Sequence, residues 1–109
     1  MQINFVKEFD SFMRFAKNEG LSVRERMFGI AMLYIYNERA KYNPQSQSYE
    51  WPEGFIPVSH DEINLFAALD KRAVETIRNT LKQKGYIEFT PGMRNKRVPM
   101  YKINFLSVG

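Results

Sequence analysis

Three signals in quick succession restrict this chain more than anything else in it. Ser59-His60-Asp61-Glu62 is a capping box, in which hydroxyl and carboxylate each satisfy an otherwise unpaired backbone N–H, so a helix opens here. Ile63, Phe66 and Ala67 give that helix an inward face to about Ala68. Leu69-Asp70-Lys71 reads as a turn, and Asp70 is placed to cap the N-terminus of the next helix. That helix is expected over Lys71 to Lys84. Gly85 stops it, because glycine readily takes the left-handed conformation that a helix end needs. Tyr86 to Thr90 then alternates as a strand, Pro91 to Arg97 forms a loop, and Pro99 to Leu106 makes a second strand.

The upstream residues predict further helices. Phe5, Phe9, Phe12 and Phe15 or Ala16 recur at helical spacing between Asn4 and Asn18, and Glu19-Gly20 ends the run. A second capping box, Ser22 to Glu25, opens a helix to about Ala40. Its middle, Met27 to Ile35, is so apolar that it should be the central, most buried helix. Tyr42 to Gly54 reads as a long loop, with Asn43-Pro44, Ser46, Ser48 and Trp51-Pro52, and Phe55 to Val58 as a short strand. At 109 residues the chain is expected to be one domain. Residues 1–20 would be an N-terminal helical extension, and residues 59–106 a helix-turn-helix plus hairpin. The predicted class is mainly α with a small β-hairpin, an α+β fold laid out as a winged helix-turn-helix.

Charge is divided along this layout. Residues 71–109 hold nine basic and two acidic residues, a net of +7, while residues 1–70 hold seven basic and ten acidic, a net of −3. A basic end of this kind faces a polyanion. At 100° per residue, Val74, Ile77 and Leu81 form one apolar stripe, and Arg72, Thr76, Asn79 and Gln83 lie opposite it. Arginine pairs bidentately with guanine, and asparagine or glutamine with adenine, so these four are the expected base-reading residues on double-stranded DNA. Lys71 and Lys82 flank them. Arg94, Lys96 and Arg97 crowd the hairpin tip, where turn geometry does not require cations, and these five are the expected phosphate contacts. Arg78 lies nearer the apolar stripe and reads as a brace on the hairpin or a carboxylate rather than a base contact.

Part of the chain also resembles the winged-helix domains of phage and plasmid replication proteins, the replisome-organiser and DnaD-like N-terminal group. The resemblance runs from about Trp51 to Ile103. It is carried by Trp51-Pro52-Glu53, Val58-Ser59, Asp70-Lys71-Arg72, the run Arg78 to Ile87 and Pro99-x-Tyr101-Lys102. It implies double-stranded DNA binding, frequent homo-oligomerisation, and a role in starting replication alongside other replication proteins. Members of that group usually carry a further C-terminal domain, and the sequence departs from that pattern in ending at Gly109. A winged-helix transcriptional repressor and a winged-helix oligomerisation or protein-interaction module share the same layout.

The pattern argues against catalysis. No glycine-rich phosphate loop, metal-ligand spacing or nucleophile–base pair is present, so neither cofactor nor metal is expected. His60 reads as a structural residue in the first turn of its helix. With no cysteine, no membrane-length apolar run and no signal pattern, a cytoplasmic protein without a membrane or small-molecule partner is expected. For self-association, the candidates are the N-terminal stripe of Phe5, Phe9 and Phe12 and the aromatic pair Tyr49 and Trp51, since aromatic residues dominate such interfaces. Trp51, with Tyr49 and Phe55, reads first as a plug over one end of the core, and as an interface anchor second.

Overall fold

The computed structural model describes residues 2–92 and 98–108. Helix α1 (Phe5–Asn18) starts at Asn4, whose side chain accepts from the Lys7 amide, and α2 (Val23–Glu38) starts at the Ser22–Glu25 box, with both reciprocal bonds made. Short strands β1 (Lys41–Asn43), β2 (Ser48–Glu50) and β3 (Ile56–Pro57) follow. Helix α3 (His60–Ala67) opens at Ser59 with its capping box complete, and α4 (Lys71–Gln83) opens at Asp70, which accepts from the Ala73 amide at 2.7 Å. Strands β4 (Ile87–Thr90) and β5 (Met100–Ile103) close the order. The fold is thus mainly α with small antiparallel sheets, as expected.

Two features of the sheets correct or extend the sequence reading. The stretch expected to be a long loop contains a hairpin, β1 paired antiparallel with β2 and Tyr42 opposite Tyr49. Asn43 Oδ1 accepts from the Gln45 amide and Gln47 takes a left-handed φ of 54°, so an Asx-type turn closes the hairpin without glycine. The β4–β5 pair is widened by β3, giving a three-stranded sheet in the order β3-β5-β4. Because β3 precedes α3, the helices α3 and α4 connect β3 to β4, the two outer strands of the sheet, and β5 fills the place between them.

The core is where α1, α2, α3 and α4 meet this sheet. Phe12, Phe28, Met32, Leu33, Tyr36, Leu81, Tyr86 and Tyr101 are fully buried in it. Gly29 of α2 lets the Phe12 ring of α1 pack directly on the α2 backbone: a Cβ there would overlap that ring. Tyr36 ties the layers together: the Gly54 and Tyr101 carbonyls share its one hydroxyl proton, and its oxygen accepts from the Ile103 amide. Burial pushes its phenol up to about 12. One charged residue is also fully buried, Glu8 of α1. Its carboxylate accepts from the amides of Leu106 and Ser107 and from the Ser107 hydroxyl, at 2.7–3.1 Å. Those donors satisfy an anion that burial would otherwise penalise heavily. Among the described residues no helix is long and apolar enough to cross a membrane.

Candidate nucleic-acid interface

The turn between α3 and α4 is set by three local bonds. Ala68 adopts a left-handed φ of 46° at the end of α3, and its amide still bonds to the Asn64 carbonyl. Leu69 is buried, and its carbonyl lies 2.9 Å from Nε2 of His60. His60 therefore staples the turn to the first turn of α3, a structural role like the one its position suggested. Asp70 then caps α4. Arg39, at the end of α2, holds the other side of α3 through a 2.6 Å ion pair with Glu62 and a bond to the Pro57 carbonyl.

With the turn fixed, the stripe Val74, Ile77 and Leu81 is buried and the opposite face of α4 is left in solvent. Arg72, Thr76, Asn79 and Gln83 are all exposed on that face, and Lys71 and Lys82 are exposed beside them. Thr76 Oγ1 donates to the Arg72 carbonyl at 3.2 Å and Asn79 Nδ2 to the Glu75 carbonyl at 3.0 Å. These are bonds within the helix, and no other part of the described fold engages the four side chains. Thr76 and Asn79 give up these bonds when their side-chain donors engage a ligand, whereas Arg72 and Gln83 already stand in solvent. Glu75 shares the exposed surface and, among the described residues, forms no ion pair with Lys71 or Arg72.

The remaining cations divide by what they touch. Arg78 runs along the inner side of α4, where Nη1 donates to the Tyr101 hydroxyl at 3.2 Å and the guanidinium carbon sits 4.5 Å from the Phe89 ring centroid. It binds α4 to both strands of the β4–β5 hairpin, as a brace rather than a groove contact. Lys82 also approaches Phe89, with Nζ 5.2 Å from the ring centroid, yet stays exposed. Lys84 pairs with Glu19 and Lys102 with Glu88, both at 3.8 Å. Arg94, Lys96 and Arg97, the expected phosphate contacts of the hairpin tip, lie outside the described residues.

The expected self-association residues are not one surface. Phe12 and Trp51 are buried inside the fold, which corrects their candidacy: Phe12 packs on Tyr86 and Trp51 between Phe5, Tyr36 and Phe105. The N-terminal stripe therefore finds its apolar partner within the same chain. Phe5 and Phe9 are half-buried against the core, and only Tyr49 is well exposed, in an edge-to-face pair with Tyr42 across the β1–β2 hairpin. Beside that hairpin an open groove of about 840 Å³ runs past Arg39, Tyr42, Trp51 and Ile56. Helical spacing identified the Phe stripe correctly but could not tell which of its rings face inward.

No protein-family model matches the chain, and neither a curated protein nor a solved structure shows significant similarity to it.

Proposed function

We propose that this chain is a non-enzymatic winged-helix module that binds double-stranded DNA. In this reading α4 enters the major groove, with Arg72, Thr76, Asn79 and Gln83 reaching base edges and Lys71 and Lys82 taking phosphates. Arg94, Lys96 and Arg97, read from the sequence alone, would add further phosphate contacts. The observation that carries the proposal is the outward face of α4. Its side chains match the donors and acceptors of base edges, and nothing else in the described fold engages the four base-reading candidates. None of the exposed large hydrophobic residues lies on α4, which favours a polar polyanion over an apolar protein partner. The replication-initiation role in a phage or other mobile element, and any replication-protein partner, rest on the sequence resemblance alone.

The test is fluorescence anisotropy of a mixed-sequence duplex of about 20 base pairs, titrated with the protein at several salt concentrations. Micromolar binding with a steep negative salt slope is expected. Replacing Lys71 and Lys82 by Ala should lower that slope by about 2, one for each phosphate left without its lysine. An absence of binding at low salt would overturn the proposal.

A further inference from the structure

Helix α2 has no polar face, yet it is not enclosed. Val23, Met27, Ile30 and Tyr34 fall within an arc of about 60° at 100° per residue. Ile30 is half-buried, and the other three are 73%, 38% and 44% exposed. An apolar stripe of this kind ordinarily belongs in a core. Here it widens into a band across three helices: Tyr34 lies 5.4 Å from Phe5 of α1 and is stacked within 6° of parallel on Phe66 of α3. Leu65, 83% exposed, extends the band on α3.

The charges beside the stripe indicate what covers it. Arg24 and Glu38 stand on the same flank of α2, near opposite ends, and both are exposed. Among the described residues neither forms an ion pair. When two identical helices pack antiparallel about a two-fold axis, the start of a given flank meets the end of the same flank on the other copy. Packing centred near Ile30 sets Met27 against Tyr34 of the second copy and Arg24 beside Glu38 of the second copy, twice over. The surface is complementary to itself in both apolar pattern and charge, as a two-fold interface requires. We propose that the stripe Val23, Met27, Ile30 and Tyr34 is the docking surface for a second copy of this chain, with Arg24 and Glu38 setting its antiparallel register. The surface shares no residue with α4 and does not depend on the DNA reading.

Sedimentation velocity of the full chain between about 1 and 200 µM tests this at moderate salt, without DNA. A reversible dimer of twice the 12.9 kDa chain mass is expected. Arg24→Glu and Glu38→Arg should each place like charges together at two symmetric points and raise the dimer dissociation constant at least about tenfold. Combining them should return it to within about threefold of the parent, because the pair is re-formed with its signs exchanged. Both positions are solvent-exposed, and far-UV circular dichroism should show an unchanged fold in all three variants. A monomer throughout the concentration range would overturn the proposal. So would a dimer insensitive to the single reversals, or a double reversal no better than the singles.

Discussion

Helices α2 and α4 touch each other and have similar lengths, yet their sequences are built on opposite plans. Helix α4 is sharply divided, with Val74, Ile77 and Leu81 buried and Arg72, Thr76, Asn79 and Gln83 in solvent. Helix α2 is apolar around its circumference, with Phe28, Met32, Leu33 and Tyr36 fully buried and Met27 and Tyr34 outside. The contrast separates two sources of order. Helix α2 is held by packing on several sides, and its position defines the core. Helix α4 is held by one stripe and by the cap and staple at its start, so its outer surface is free of structural duty. Residues on such a surface are set by what they meet outside the fold, whereas residues of α2 are set first by their neighbours inside it.

Substitutions sharpen this contrast in order of expected effect. Gly29→Ala, on α2, drives a methyl group into the buried Phe12 ring. Overpacking should outweigh the gain in helix propensity and cost about 2 kcal/mol, lowering Tm by roughly 8 °C in a thermal melt. An unchanged Tm would mean that α1 and α2 adjust freely, and the packing account of α2 would fail.

High pH should attack the same layer. Burial raises the Tyr36 phenol to about 12, and burial with the nearby Glu8 carboxylate raises that of Tyr86 well above the usual range. A raised folded-state pKa gives stability that is whole below the unfolded value near 10 and is lost as pH climbs toward 12. Absorbance at 295 nm should therefore rise in two phases, the later one coinciding with loss of the helical circular dichroism signal. A single early phase would contradict the burial of both phenols.

On α4 the expected effects are smaller and split by face. Arg78→Ala removes the Tyr101 bond and the Phe89 stacking, for about 1–2 kcal/mol by denaturant titration. Asn79→Ala, on the outer face, should shift stability by less than about 0.5 kcal/mol. Under the DNA reading it should instead relax preference at one base position by about 1–3 kcal/mol in site selection. A large stability loss from Asn79→Ala would break the division between inner and outer faces.

What could be read from the chain follows the range of the interactions involved. Ser22, Ser59 and Asp70 all cap the helices they were expected to start, because a cap bonds to its own next turn. The inner stripe of α4 was equally legible, since periodicity is local. The β1–β2 hairpin was not: its strands are three residues each, and Asn43 and Gln47 make a turn in which no glycine marks the reversal. Trp51 was legible as a plug over the core and Phe12 as part of an apolar stripe, but the rings that enclose them were not, because Tyr86, Tyr36 and Phe105 lie far away in sequence or on other elements. The outward stripe of α2 was hidden by the same uniformity that marked the helix as central. On α4 the side chains, their shared face and the bracing role of Arg78 were legible, while the strand register, which sets Tyr101 opposite Phe89, was needed to name what Arg78 grips.

The Glu8 clasp carries a consequence for how the chain is made. Its donors come from residues 98 and 99 positions downstream, almost the whole length of the sequence away. Until those residues emerge from the ribosome, the first helix has a carboxylate it cannot bury, and Phe12 on the next turn is held back with it. Helix α1, made before α2, α3 and α4, should consequently settle after them. Translation would leave it waiting at the surface while α2, α3 and α4 assemble beneath it.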